Sequence, residues 1–161
     1  IVVGGRGDGG ADPQRHLVTR LLAKTRALVV VAAEGQVGVD VNGPVLLAWD
    51  GSEPCASAMQ RAVPLLALAG LVRVLEVGIP EDASSAEDAA TYLSRHGIHA
   101  ELLRVQQRDD FASTIAAEAR LMKAAYCLMG AYEHSQLSEA IFGGVTRAML
   151  TGSEVTLIMG H

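Results

Sequence analysis

The chain has 161 residues, of which 50% are hydrophobic and 19% charged, and its formal net charge is −5. This composition fits one soluble globular domain plus a remainder. Aromatic residues make up only 4% of the chain and the Lys and Arg residues are scattered, so we expect no nucleic-acid partner. No apolar run reaches the roughly 18 residues that cross a bilayer, so we expect no membrane partner.

The N-terminal region predicts part of an internal repeat. Residues 1–3 read as a strand that enters a glycine turn. Three short segments recur 126 or 127 positions later in the same order: residues 1–4 at 127–130, residues 18–20 at 145–147, and residues 28–31 at 155–158. Residues 1–36 are therefore predicted to be the strand–helix–strand end of a first unit, residues 37–43 a linker, and residues 44–161 a complete unit. The alternative is that any two strand–loop–helix–strand segments look alike.

From residue 44 onward, strands alternate with amphipathic helices. The predicted strands are residues 45–49, 71–77, 98–105, 126–129 and 154–159. Helices are predicted to follow a cap at Ser52, to follow a capping box of Ser84 and Glu87, and to span residues 110–123 and 135–151. This alternation predicts an α/β protein with a three-layer, Rossmann-like architecture, in which an open parallel five-stranded sheet carries helices on both faces.

Two loops are candidates for ligand binding, because open parallel sheets bind ligands at the carboxyl ends of their strands. The first is Asp50-Gly51-Ser52, where a carboxylate can accept hydrogen bonds from a ribose or a base. The second runs from Gly130 to Ser135 and is followed by residues 143–146, whose glycines allow backbone N–H groups to approach a phosphate. Two structural alternatives remain open: Ser52 simply caps a helix, and Gly143-Gly144 permits close helix packing.

The sequence suggests neither a metal site nor a catalytic centre. The histidines at 16, 96, 99, 134 and 161 are dispersed, and Cys55 and Cys127 lack C-x-x-C spacing, which suits buried thiols in a reducing compartment. His134, Ser135 and Asp50 invite comparison with a hydrolase triad, but no G-x-S-x-G pattern is present. We therefore predict no catalytic residue and no metal ligand.

The motifs taken together resemble the universal stress protein family. The string Gly-Ala-Tyr-Glu-His-Ser from Gly130, the string Ile-Phe-Gly-Gly-Val-Thr-Arg from Ile141, and an apolar strand ending at His161 resemble the end of such a domain. Residues 45–52 resemble its beginning, and residues 1–36 resemble the end of a tandem partner domain. The resemblance implies strand order 3-2-1-4-5 and a regulatory or adaptor role in the bacterial cytoplasm. It also implies an unknown regulatory protein partner and a homodimer or tandem pseudo-dimer formed through the last strand.

The resemblance also implies an adenine-nucleotide site, with ATP and Mg²⁺ as the expected ligands. ATP-binding members carry G-x-x-G, nine residues, then Gly and Ser or Thr; Gly130 and Gly143 match, whereas Glu133 and Gly144 depart from the pattern. The candidate nucleotide-binding residues are Asp50, Gly51, Ser52, Val77, Gly130, Tyr132, His134, Ser135, Gly143, Gly144, Val145 and Thr146. The alternative is a nucleotide-free dimerisation scaffold with a degenerate phosphate loop. If the protein is an enzyme at all, we expect at most a slow ATPase.

Overall fold

The computed structural model describes residues 2–3, 13–33, 35–36, 38–78, 85–131, 144–152 and 154–161. In chain order the elements are β1 (Val2–Val3), α1 (Pro13–Lys24), β2 (Val29–Val31), β3 (Pro44–Trp49), α2 (Glu53–Leu66), β4 (Leu71–Val77), α3 (Ala86–Arg95), β5 (Ala100–Val105), α4 (Phe111–Leu121), β6 (Tyr126–Gly130), α5 (Gly144–Gly152) and β7 (Thr156–Gly160). Within these ranges no helix is long and apolar enough to cross a membrane.

The strands form one sheet in the order β1-β2-β7-β6-β3-β4-β5. The five strands from β3 to β7 pair in parallel, and their order is the predicted 3-2-1-4-5. The predicted width and purely parallel character are wrong, because the described sheet has seven strands and β2 pairs antiparallel with β7. Without β2, the apolar edge strand β7 would expose unpaired backbone N–H and C=O groups. The antiparallel hydrogen bonds between β2 and β7 pair these groups.

The sheet is covered on both faces, which explains why its central strands are apolar without alternation. Val45 and Leu47 of β3 face a core shared with α2 and α3. Leu46, between them, faces a second core shared with α1, α4 and α5. The predicted three-layer α/β architecture is confirmed.

The structure corrects several predicted boundaries. The third strand of the complete unit begins at Ala100 rather than at residue 98, and the helix predicted over 110–123 spans Phe111–Leu121, with Asp110 as its cap. The predicted capping box of Ser84 and Glu87 is wrong by one residue, because the cap of α3 is Ser85, whose N–H donates to the Asp88 carboxylate at 3.3 Å. Of the helix predicted over 135–151, residues 135–143 lie outside the described residues.

The side-chain facing in β2 and β7 does not fit the predicted alignment of the repeat at this point. The superposition of residues 28–31 on 155–158 places Val30 on Leu157, but these side chains face opposite sides of the sheet. An alignment shifted by one residue in either direction matches the facing; Leu157–Met159 is one such segment, because Val30 and Ile158 both pack on the α2 side. A shift of one residue moves every side chain of a strand to the opposite face of the sheet. The face on which each side chain packs therefore distinguishes between alignments that differ by one residue.

The segment between β2 and β3 is attached to the sheet by hydrogen bonds. The buried Thr156 hydroxyl accepts from the Ala33 N–H at 3.2 Å and donates to the Gln36 side-chain oxygen at 2.7 Å. Further along, the Gly70 N–H donates to the Asn42 carbonyl at 2.8 Å. These contacts hold the start and end of the segment beside the amino-terminal ends of the parallel strands.

Candidate ligand-binding cleft

A cleft of about 500 Å³ opens where β3, β4 and β6 end. In a parallel sheet, the connections from the two central strands leave in opposite directions, which opens a crevice at the carboxyl edge. Here the connection from β3 leads outward to β4 on one side, while β6 lies on the other side. Seven predicted site residues line the cleft: Asp50, Ser52, Val77, Gly130, Gly144, Val145 and Thr146.

The remaining predicted site residues are placed differently. Gly51 lies between two lining residues in the turn after β3, with φ +74°, a backbone conformation that favours glycine. Tyr132, His134, Ser135 and Gly143 lie outside the described residues, as does Glu133.

The turn after β3 is held together by its own side chains. One Asp50 carboxylate oxygen accepts from the Ser52 N–H at 3.0 Å, and the Ser52 hydroxyl accepts from the Cys55 N–H at 3.3 Å. Ser52 is thus the N-cap of α2, which confirms the capping interpretation. Asp50 is exposed, and a carboxylate has several acceptor positions, so it can bond its own turn and a ligand hydroxyl together.

Gly130 is required by packing. A Cβ at this position would lie 2.6 Å from the backbone nitrogen of Cys55 and 2.8 Å from its Cα. The first turn of α2 therefore crosses directly over the end of β6, and only a residue without a side chain fits beneath it. This contact also brings the start of α2, after the first candidate loop, against Gly130, where the second candidate loop begins.

Gly144 has a different environment from Gly130. No described atom lies within 4 Å of the position where its Cβ would be, so the structure shows no close helix packing at this glycine. Gly144 begins α5 and lines the cleft together with Val145 and the buried Thr146. The first N–H groups of a helix lack intrahelical partners, so this end can donate hydrogen bonds to a ligand.

The cleft walls are more apolar than the sequence prediction implied. Trp49, Leu75 and Met129 line them from the strands, and Phe111 and Ile115 line them from α4. Trp49 and Met129 directly precede Asp50 and Gly130, so their position at the strand ends was available as a signal. No local sequence pattern marked the α4 residues as part of the cleft, because their position depends on where the chain returns to the sheet after β5.

The described part of the cleft has a single ionisable lining residue, Asp50. The nearby Cys55 thiol donates to the Ala48 carbonyl at 3.2 Å, and burial together with the Asp50 charge raises its pKa far above the usual range. Burial raises the pKa of Cys127 to about 12. Both thiols are buried as predicted, and both stay protonated at neutral pH, so neither is an activated nucleophile. Among the described residues, no group of three or more potential metal ligands occurs.

Comparisons with known proteins establish the fold. No family model and no curated protein matches the sequence. A universal stress protein from Archaeoglobus fulgidus matches with 18% identity and a TM-score of 0.74, over 99% of this chain and 61% of that one. A universal stress protein in complex with cAMP matches with 18% identity and a TM-score of 0.60, over 74% of this chain and 96% of that one.

An Arabidopsis thaliana protein of the universal stress protein family with AMP bound matches with 13% identity and a TM-score of 0.54, over 73% of this chain and 89% of that one. All three identities are below 20%, so the likeness concerns the fold alone. The chain has the universal stress protein fold, as the resemblance predicted. It spans 61% of the length of the Archaeoglobus protein.

Proposed function

We propose that this protein is a universal stress protein that acts as a regulatory or adaptor module and binds an adenine nucleotide in the cleft. The main support for this proposal is the cleft of about 500 Å³, which lies where the strand order reverses. Seven of the site residues predicted from the sequence line it. A volume of this size suits a ligand the size of a nucleotide.

Three features of the cleft are chemically complementary to the base, the ribose and the phosphate of an adenine nucleotide. The apolar walls, including Trp49 and Val77, suit the faces of a purine ring. The Asp50 carboxylate can accept hydrogen bonds from ribose hydroxyls. The amino end of α5 at Gly144 can donate to a phosphate. AMP, cyclic AMP and ATP with Mg²⁺ are the ligands to compare, and two neighbours of the same fold are described with cAMP and with AMP.

The domain organisation is part of the proposal. Residues 1–36 would be the end of a first unit and residues 44–161 a complete second unit, joined by residues 37–43. Two kinds of structural match support this division: one covers 99% of this chain, whereas others cover 73% or 74% of it and nearly all of the matched protein. Residues 44–161 make up nearly the same share of the chain as the second kind of match.

A second candidate function is a nucleotide-free scaffold that associates through its last strand. The antiparallel pairing of β2 with β7 favours it, because the ladder joins two apolar strands that would each expose an edge alone. In this proposal β2 represents a second unit within the chain, and the pairing is that of a tandem pseudo-dimer. A homodimer through the last strand would need β2 to be displaced, because β7 is already paired with β6 on one side and with β2 on the other. We place the protein in the cytoplasm, with a regulatory protein as its partner.

The two candidates are separated by equilibrium binding of AMP, cyclic AMP and ATP, the last with and without Mg²⁺. Trp49 is the single tryptophan of the chain and lines the cleft, so its fluorescence reports on occupancy. Phe111→Ala should weaken binding about five- to tenfold through lost contact area. Leu121→Ala is the matched control, because Leu121 lies on the same helix and is 71% exposed away from the cleft. Absence of binding by all three compounds would reject the nucleotide proposal and leave the scaffold.

A further inference from the structure

Arg108, in the loop between β5 and α4, is bonded to α4 at two places. Its guanidinium donates to the Glu118 carboxylate at 3.0 Å, and its backbone N–H donates to the Thr114 hydroxyl at 3.0 Å. Five polar or charged residues are buried in the part of the chain that the structure describes, and Thr114 and Glu118 are two of them. The interior therefore supplies two of its few polar groups to one loop residue, whose own side chain is 57% exposed.

These bonds connect the loop to the beginning of the helix. The Thr114 hydroxyl also donates to the Asp110 carbonyl at 2.7 Å. The Asp110 carboxylate caps α4 by accepting from the Ser113 N–H at 2.7 Å. Glu118 lies about two turns into α4, so the Arg108 side chain extends back along the helix. The loop and the first two turns of α4 are thus held together as one unit.

The same two turns of α4 form one wall of the cleft. Phe111, the first residue of α4, and Ile115, one turn later, line the cleft. Ile115 is buried, whereas Phe111 is 43% exposed, so core packing does not by itself fix the Phe111 ring. Ordering a side chain or loop when a ligand binds costs free energy, and a wall that is already in place avoids this cost.

We infer that Arg108 is a positioning residue for the ligand of the cleft. It does not line the cleft, and it acts by holding the start of α4 so that Phe111 and Ile115 are in place for an adenine base. This inference rests on the proposed function. Because adenosine, AMP and ATP share the base, the contribution of Arg108 should be the same for all three compounds.

The test is a double-mutant cycle of Arg108→Ala and Phe111→Ala in the whole chain, with adenosine affinity measured by Trp49 fluorescence and by calorimetry. Arg108→Ala should weaken adenosine binding about three- to tenfold when Phe111 is present. The loss should fall below about twofold in the Phe111→Ala background, because the ring through which Arg108 acts is gone. Arg108→Lys retains a donor for Glu118 and should regain most of the affinity. A loss of the same size in both backgrounds overturns the inference while the proposed function stands.

Titrations with AMP and ATP separate positioning from a direct charge effect. An equal loss for adenosine, AMP and ATP in Arg108→Ala supports positioning of the wall that contacts the base. A loss that grows with the number of phosphates would mean that the guanidinium attracts the phosphates itself, and would overturn the inference. Absence of binding by the wild-type protein to all three compounds rejects both the proposed function and this inference.

Two further variants control for stability. Arg73→Ala is the matched control, because Arg73 donates to Glu101 at 3.1 Å but joins two strands and does not line the cleft, so adenosine binding should be unchanged. Glu118→Gln weakens the bond to Arg108 without leaving a buried carboxylate unpaired. It gives the same cycle with Phe111→Ala if Arg108→Ala does not fold. Weakening of adenosine binding by Arg73→Ala as large as that by Arg108→Ala would overturn the inference.

Discussion

The backbone of Cys55 passes so close to Gly130 that a Cβ on the glycine would lie 2.6 Å from the Cys55 nitrogen. This contact joins the first turn of α2 to the end of β6 and brings the two candidate loops together. Gly130→Ala should therefore destabilise the fold by about 1 to 3 kcal/mol, since backbone on both sides must shift. Urea unfolding measures the change.

Gly144→Ala is the control for that substitution. No described atom lies within 4 Å of its added Cβ, and the residue begins a helix, so stability should be unchanged or slightly higher. Equal destabilisation by the two substitutions would contradict the packing explanation for Gly130.

Thr156 is predicted to fasten the segment after β2 to the sheet. In Thr156→Val the buried Ala33 N–H loses its acceptor, which should cost about 1 to 3 kcal/mol of unfolding free energy. Gln36→Ala removes only the exposed partner of the same hydroxyl and should cost less. Limited proteolysis between residues 33 and 43 should be faster in Thr156→Val than in wild type, and an unchanged cleavage rate would argue against the fastening role.

Glu87 should contribute to the acid sensitivity of the fold. Its hydrogen bond from Arg104 lowers the pKa of its carboxyl, so the folded state binds the proton less readily than the unfolded state. The resulting stabilisation is present above the usual glutamate pKa and is lost as pH falls through the lowered value. Urea midpoints measured from pH 7 to pH 3 should fall less steeply in Glu87→Gln; identical slopes would show that the ion pair is screened by solvent.

Cys55 and Cys127 should resist thiol reagents in the folded protein. Burial raises the pKa of both thiols, to about 12 for Cys127, so the reactive thiolate is scarce at pH 8. We expect both thiols to react with a disulfide reagent only as fast as the protein unfolds, with the rate rising in urea. Rapid labelling of either cysteine in the native state would contradict this burial.

Local sequence patterns were sufficient for the succession of strands and helices along residues 44–161. Apolar strands between capped amphipathic helices predict a parallel sheet, and the turns at Asp50 and Gly130 follow from polar and glycine residues that interrupt an apolar run. The family resemblance supplied the strand order, which the structure confirms. Asp50 and Gly130, where the two candidate loops begin, were therefore located before any coordinates, because each is encoded within a few consecutive residues.

Only the tertiary structure decided the relationships between distant segments. The antiparallel pairing of Val30 with Ile158, the return of Phe111 to the cleft, and the packing of Cys55 over Gly130 each join residues far apart in the chain. Such contacts depend on register and crossover position, which no local pattern records. The sequence by itself determined the approximate strands of residues 44–161 and the cap of α2 at Ser52, since these are properties of neighbouring residues. The shape of the cleft, its apolar walls and the seven-stranded width of the sheet arose from packing, which assigns each side chain a face and a neighbour only once the chain has folded.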